Sequence, residues 1–402
     1  MELVFSRKDI MAAIKIVGGA AGKSSALPVL SNVLISAAQD PLGNLSSSSG
    51  SNGDSIYLAA TDLEIGIRTW IAGQITESGA ILLPVKTFAS VISALSEDDV
   101  KLVVSNGRAR ICSQKGEFKM VGTSALEFPS LMGEVSQDAQ LELTEQPKDE
   151  KEMYSLNLDP DVLKWMIRKT AFAASRDDGR YFLNGVHLSL KSEGDGTMVR
   201  MAATDGTRLA VAGVMIDQPL EKEVEAIIPN RAVRELEKLS VSSDVIKISI
   251  QENRIVFDAG DTALISTLLE GQYPDYQKII PGGSLINLKA DTGDLITVIR
   301  RISQVSNPKL PCVKLETEGN RMKVLADNPY VGDAYEEMAV ENEGDDVGIA
   351  MNAHYLMDAL KSVDTQETLI GIDSEVKPVV IRPSSEDRDH LCVLMPVRLS
   401  AG

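Results

Sequence analysis

Histidine and cysteine are scarce: three of each in 402 residues leave little material for metal or nucleophilic chemistry. His187, His354 and His390 do not pair at metal-ligand spacing. Cys112, Cys312 and Cys392 lie far apart and are odd in number, so no disulfide framework is indicated. HExxH runs, CxxC pairs and a GxSxG elbow are absent, and neither cofactor nor metal is expected. No apolar stretch approaches the roughly 20 residues of a membrane helix, and the opening "MELVFSRKDI" lacks the features of a signal peptide. A cytoplasmic protein without membrane partners is therefore expected. Positive charge is also short. The net charge is -18, which taken alone argues against nucleic acid, because phosphates are repelled by an acidic surface.

What is present is ordinary globular composition, 44% hydrophobic and 24% charged, at a length suited to roughly two to four domains. It is also repetitive. "LAATDLEIGIRTW" at 58–70 returns as "MAATDGTRLAVAG" at 201–213, and the neighbours return with it. "ALPVLSNVLISA" before the first corresponds to "RYFLNGVHLSL" before the second. "GAILLPVKTFASVISAL" after the first corresponds to "EAIIPNRAVRELEKLS" after the second. A weaker third series runs through "KLPCVKLETEG", "RMKVLADNPYVGDAYEEMAV", "DVGIAMNAHYLMDALKSV" and "ETLIGIDSEVKPVVIRPS". A period of about 120 to 145 residues suits whole domains rather than solenoid units.

Each copy carries two helical patterns. Ile10, Ile14 and Val17 follow Ser6, which can cap with Asp9. Val162, Met166 and Thr170 open the second copy, and Leu295, Val298, Ile299, Ile302 and Val305 the third. The second helices are predicted from Phe88, Val91, Ile92 and Leu95; from Ala232, Val233, Leu236 and Leu239; and from Leu356, Ala359, Leu360 and Val363. The remainder alternates as short strands, for example "KLVVSNGRARICS" and "IKISIQENRIVFDAG". The class is α+β, about two helices on antiparallel sheets per domain. Residues 40–54 read as a Ser/Gly loop and 133–152 as an acidic linker. The domains are then 1–132, 153–281 and 282–402.

Two motifs invite a catalytic reading. "VGGAAGKSS" at 17–25 resembles a phosphate loop, but Val17 stands where the first glycine is needed and a helix precedes it, so a helix C-cap is the simpler reading. Asp62 and Asp205 occupy equivalent places after strands, which points to a shared turn rather than to catalysis. His354, at the start of the last helix, reads as a surface residue. Charge is more informative. Five of six helix-like windows sum positive in this acidic chain. Arg231, Arg234 and Lys238 share one side of a helix, as do Lys164 and Arg168. A shared basic surface would attract phosphates without regard to sequence.

Three tandem copies, together with "RYFLNG" at 180–185, "AATDGTRLA" at 202–210, "YPDY" at 273–276 and "VLMPVRL" at 393–399, closely resemble the bacterial DNA polymerase III beta subunit family, the sliding clamps. The resemblance runs the length of the chain. It implies three DNA-clamp domains, a ring-shaped head-to-tail homodimer with helices lining a hole for double-stranded DNA, and no catalysis. It also implies a groove for short linear peptides of the polymerase III alpha subunit, the clamp loader, other polymerases and repair proteins. By motif its wall is Leu183, Thr204, Gly206, Thr207, Arg208, Leu209, Pro274, Lys278, Ile279, Val393, Met395, Pro396, Val397, Arg398 and Leu399. Arg208 is expected to orient an acidic or backbone group of the peptide. DNA contacts map to Lys23 or Ser24 and to Arg176, Arg180, Tyr181 and Phe182, joined by the helix residues Lys164, Arg168, Arg231, Arg234, Lys238, Arg300 and Arg301. A dimer seam is expected where Arg108 and Arg110 meet the acidic stretch 333–343, with Asp333, Glu336 and Glu337. Two departures are noted. Thr207 stands where the family often has histidine, and Ser400–Gly402 extend past the usual Arg-Leu end.

Two other readings predict different behaviour. A repeat-built peptide scaffold would remain monomeric, and a hydrolase using Asp62 or Asp205 would show metal- or nucleotide-dependent turnover.

Overall fold

A computed structural model describes residues 1–22, 27–37, 55–96, 98–113, 116–129, 154–220, 222–239, 243–385 and 388–398. The Ser/Gly loop 40–54 and the linker 133–152 lie outside the described residues.

The first copy contains β1 (Glu2–Ser6), α1 (Arg7–Val17), β2 (Asn32–Ala37), β3 (Ser55–Thr61), β4 (Ile65–Ala72) and β5 (Gln74–Glu77). It continues with β6 (Gly79–Pro84), α2 (Val85–Ala94), β7 (Asp99–Ser105), β8 (Arg108–Cys112) and β9 (Glu117–Val121). The second contains β10 (Tyr154–Leu158), α3 (Pro160–Thr170), β11 (Gly185–Glu193), β12 (Gly196–Thr204) and β13 (Arg208–Ile216). After these come β14 (Val224–Pro229), α4 (Asn230–Lys238), β15 (Ile246–Ile250), β16 (Arg254–Asp258) and β17 (Thr262–Thr267). The third contains β18 (Ile286–Asp291), α5 (Thr292–Ile302), β19 (Cys312–Glu318), β20 (Arg321–Asn328), β21 (Gly332–Ala339) and β22 (Glu341–Glu343). It ends with β23 (Gly348–Asn352), α6 (Ala353–Lys361), β24 (Glu367–Ile372), β25 (Val379–Pro383) and β26 (Asp389–Leu394). The strand–helix–strands plan is the same three times, as the repeat predicts.

Local chemistry accounts for the helices. Ser6 Oγ accepts the Asp9 N–H at 3.4 Å and starts α1, which buries Ile10, Ala13, Ile14 and Val17. Gly18 ends it, its N–H donating to the Ile14 carbonyl at 2.9 Å, so the glycine-rich stretch begins as a C-cap. In α3 the buried face is Leu163, Met166, Ile167 and Thr170; the expected Val162 is only half-buried. In α5 the run stops at Ile302, and Val305 follows the helix end.

The described residues fall into two compact units. In Met1–Leu163 with Arg234–Leu268, one sheet runs β5-β1-β7-β8-β9 and another β10-β15-β16-β17-β4-β3-β2-β6. In Lys164–Val233 with Leu269–Gly402, one sheet runs β14-β11-β12-β13-β26-β25-β24-β18-β22 and the other β21-β20-β19-β23. The two large sheets are each made of halves from consecutive copies. β4 of the first copy pairs antiparallel with β17 of the second, opposing Gly66 to Ile265. β13 of the second pairs antiparallel with β26 of the third, opposing Leu209 to Val393. Main-chain hydrogen bonding thus carries each sheet from one copy into the next.

Candidate functional site

The repeated Ala-Ala-Thr-Asp resolves into a turn. Asp62 Oδ1 accepts the N–H groups of Glu64 and Ile65 at 3.1 and 2.9 Å, and the Thr61 hydroxyl donates to the Ile65 carbonyl. In the second copy Asp205 Oδ1 accepts the N–H groups of Thr207 and Arg208 at 2.9 and 3.1 Å, and the Thr204 hydroxyl donates to the Arg208 carbonyl. The aspartate organises the backbone of its own turn. The residue after it is left-handed in both copies, Leu63 at φ 80° and Gly206 at φ 89°. The third copy turns more tightly, with the Val331 N–H on the Asn328 carbonyl and the Tyr330 N–H on Asn328 Oδ1.

In the second copy this turn sits above an apolar floor. Ala202, Leu209, Val211, Tyr276 and Val393 are buried together, with Tyr273, Ile280 and Leu391 packed against them. The Thr204 N–H donates to Tyr273 Oη at 3.0 Å, and the Met395 N–H donates to the Thr207 carbonyl at 2.9 Å. The segment following β26 is thereby tied to the turn, and Val397 is tied to the Ala350 carbonyl at 2.8 Å. Of the wall residues expected from sequence, Leu183, Thr204, Leu209 and Val393 are buried, Leu209 and Val393 within this floor. Pro274, Pro396 and Val397 are half-buried, while Met395, Ile279 and Lys278 are exposed above them. Exposed aliphatic and thioether side chains over an apolar floor make an adaptable surface for an apolar ligand. Leu399 and Ser400–Gly402 lie outside the described residues.

Arg208 is engaged more fully than the sequence reading expects. Its Nε donates to Asp205 Oδ2 at 2.9 Å, Nη1 to Asp358 Oδ2 at 2.9 Å and Nη2 to the Phe172 carbonyl at 2.8 Å. The guanidinium also lies 4.2 Å from the Tyr355 ring centroid. It joins β13, α6 and the segment after α3, so it shapes the site from behind. Thr207 is similarly engaged, its hydroxyl donating to Asp205 Oδ1 at 2.6 Å. Asp358, Phe172 and Tyr355 carried no sequence motif that marked them.

Arg180, expected at DNA, reaches the turn: its Nη2 donates to the Asp205 carbonyl at 3.2 Å. A Cβ at Gly206 would lie 2.8 Å from Arg180 Nη1, so glycine both permits the left-handed backbone and leaves room for this arginine. Tyr181 is exposed and stands edge-on to Phe182. Among the basic candidates Arg168, Arg176, Arg234, Lys238, Arg300 and Arg301 are exposed, and Lys164 and Arg231 half-buried. Lys238 pairs with Glu235 at 2.8 Å, and Arg301 pairs with Glu336. Lys23 and Ser24 lie outside the described residues. Among the described residues no histidine, cysteine and carboxylate cluster could hold a metal, and no helix is long and apolar enough to cross a membrane. His354 is exposed; His187 and His390 are buried, as is the Cys392 thiol, which burial pushes up to about 11.

Models of the DNA polymerase III beta subunit match the chain three times: the N-terminal domain over 1–132, the central domain over 157–275 and the C-terminal domain over 277–398. The chain belongs to this family. The family is that of the sliding clamp, a processivity subunit of DNA replication rather than a catalyst. A beta sliding clamp of Synechococcus elongatus is 31% identical, the match covering 99% of this chain and all of that one. A crystal structure of a Bartonella birtlesii sliding clamp bound to griselimycin is 28% identical at a TM-score of 0.86, covering 99% of this chain and all of that one. The DNA polymerase sliding clamp of Bacillus subtilis, 25% identical, gives a TM-score of 0.85 with both chains fully covered.

Proposed function

We propose that two copies of this chain close head to tail into a ring around duplex DNA and hold the replicative polymerase there. The observation that carries this reading is the repeated sheet junction. The last strand of the second copy, β17, pairs with β4, and the last strand of the third, β26, pairs with β13. The last strand of the first copy, β9, and the third-copy counterpart of β4 and β13, which is β21, both end their sheets. Two complementary edges, one in each compact unit of the chain, are what a closed head-to-tail dimer requires. Exposed apolar side chains accompany both, Phe118 and Val121 on β9 and Tyr335 on β21, with Tyr330 and Val331 at the turn before β21. Lys119, Arg108 and Arg110 stand on the first edge hairpin, and Asp333, Glu336 and Glu337 on the second, so charge favours the same pairing.

In this reading the domains are 1–132, 153–281 and 282–402, with 133–152 linking the first two. Helices α1 to α5 each carry more Lys and Arg than Asp and Glu. They supply weak, sequence-independent phosphate contacts in a protein that is acidic elsewhere. The surface above Leu209, Tyr276 and Val393, with Met395 and Ile279 at its rim, receives short peptides of the polymerase, the clamp loader and repair proteins in the cytoplasm.

Retention on DNA tests the reading. Native mass should be twice the 43.3 kDa of the chain, and protein loaded on nicked circular DNA should be lost when the circle is linearised at moderate salt. Persistent binding after linearisation, or a stable monomer that cannot be loaded, would overturn it.

A further inference from the structure

Beneath the partner surface lies a buried histidine that neither turn chemistry nor sheet pairing requires. His187 sits on β11 with its side chain 6% exposed. Its ring stacks on Tyr273, centroids 4.8 Å apart and planes at 16°, and meets the edge of Tyr276 at 5.9 Å. Tyr273 in turn receives the Thr204 N–H through its hydroxyl oxygen, and Tyr276 belongs to the floor with Leu209 and Val393. One imidazole therefore touches both aromatic rings, the one bonded to Thr204 and the one packed in the floor. Nε2 lies 3.6 Å from Glu225 Oε2 of β14, and Nδ1 has no hydrogen-bond partner among the described residues.

We propose that His187 is a positioning residue for the partner surface and makes ligand affinity depend on pH. In the neutral ring an unpartnered Nδ1 is tolerated beside the tyrosine faces. In the imidazolium it becomes a charged donor without an acceptor, which is far more costly to bury. Glu225, whose side chain is 59% exposed, offers the nearest counter-charge. Protonation then draws the ring from the stack toward Glu225 and water, and Tyr273 loses its support beneath Thr204. The charged neighbours are few. Lys191 on the same strand opposes protonation, Glu225 favours it, Asp205 faces Tyr273, and Arg200, Glu225 and Asp389 face Tyr276. Burial, the largest influence, holds the ring below the ordinary histidine range, so the neutral stacked form prevails near neutrality.

This inference rests on the surface above Leu209 being the ligand site, and its test separates the two. Griselimycin serves as the probe. Its affinity for the intact protein is measured between pH 7.5 and 5.5 for wild type, His187→Phe and His187→Ala. Wild type should lose about fivefold in affinity across that range. His187→Phe, which stacks but cannot titrate, should keep the pH 7.5 affinity and a flat profile; His187→Ala should bind more weakly throughout. A His187→Phe profile that tracks wild type overturns the inference. Without any ligand, the Thr204 amide resonance should titrate together with the His187 ring in wild type and stay constant in His187→Phe. An invariant wild-type amide overturns the inference by itself. Griselimycin that fails to bind at pH 7.5 counts instead against the ligand site, and the amide still decides the role of His187.

Discussion

Asp205 accepts four hydrogen bonds within its own turn, two from backbone N–H groups, one from the Thr207 hydroxyl and one from the Arg208 guanidinium. Asp62, at the same place in the first copy, accepts two from backbone. In the second copy the Asp205 carboxylate thus also holds the side chains of the two residues that close its turn. Asp205→Ala removes the acceptor of Arg208 Nε, on a side chain that is 11% exposed, and should lower unfolding free energy by about 2–3 kcal/mol, as loss of a hydrogen bond to a charged group does. Asp62→Ala should cost roughly 1 kcal/mol. Denaturant titrations measure both, and an Asp205→Ala loss below about 1 kcal/mol would mean that the bond to Arg208 contributes nothing to the turn. The aspartate's structural role was legible in its repetition. Arg208's engagement was not, because Asp358 and Phe172 are distant in sequence and each looks ordinary alone.

At the scale of elements, the helices were legible through their apolar periodicity, and Ser6 with Asp9 marked the start of α1. The sheet junctions were not. A strand that ends a sheet and one that joins the next copy show the same alternation, and only the pairing separates β9 from β17 and β26. That difference leads to a prediction for β9. Phe118 is 40% exposed, so Phe118→Glu should leave the chain folded while placing a charge where β21 of a second copy would lie. Native mass should shift from dimer to monomer with an unchanged circular dichroism spectrum. A dimer of undiminished affinity would remove β9 from the seam. The apolar floor was not legible in any single motif, since "VLMPVRL" by itself reads as an ordinary edge strand.

For the whole molecule, two buried histidines contribute to the response to mild acid. Burial lowers the pKa of both His187 and His390 from the ordinary 6.5. His390 is held between the Val211 carbonyl, 2.9 Å from Nδ1, and the Ser362 hydroxyl, 3.0 Å from Nε2. The unfolded chain takes up these protons first. Their contribution is therefore complete above pH 6.5 and is lost as pH falls from there toward the folded-state values. The histidine contribution to unfolding free energy, from denaturant titrations, should be level between pH 7.5 and 8.5 and fall below pH 6.5 with a slope of at most about 1.4 kcal/mol per pH unit for each histidine. A midpoint that rises on acidification to pH 5.5 would contradict this assignment.

The joints between copies also bear on how freely the sequence can drift. At each, the carbonyl two residues beyond the turn aspartate, Glu64 or Thr207, receives the N–H at the end of the next copy's last strand, from Thr267 or Met395. Every such bond is made by peptide groups, which all non-proline residues share. Side chains of the turn at such a joint can therefore differ between copies while the connection is inherited intact, although the paired strands keep their buried apolar residues. The second copy thus carries a glycine and an arginine at its turn, and the first a leucine in a left-handed turn, without either coming apart from its neighbour.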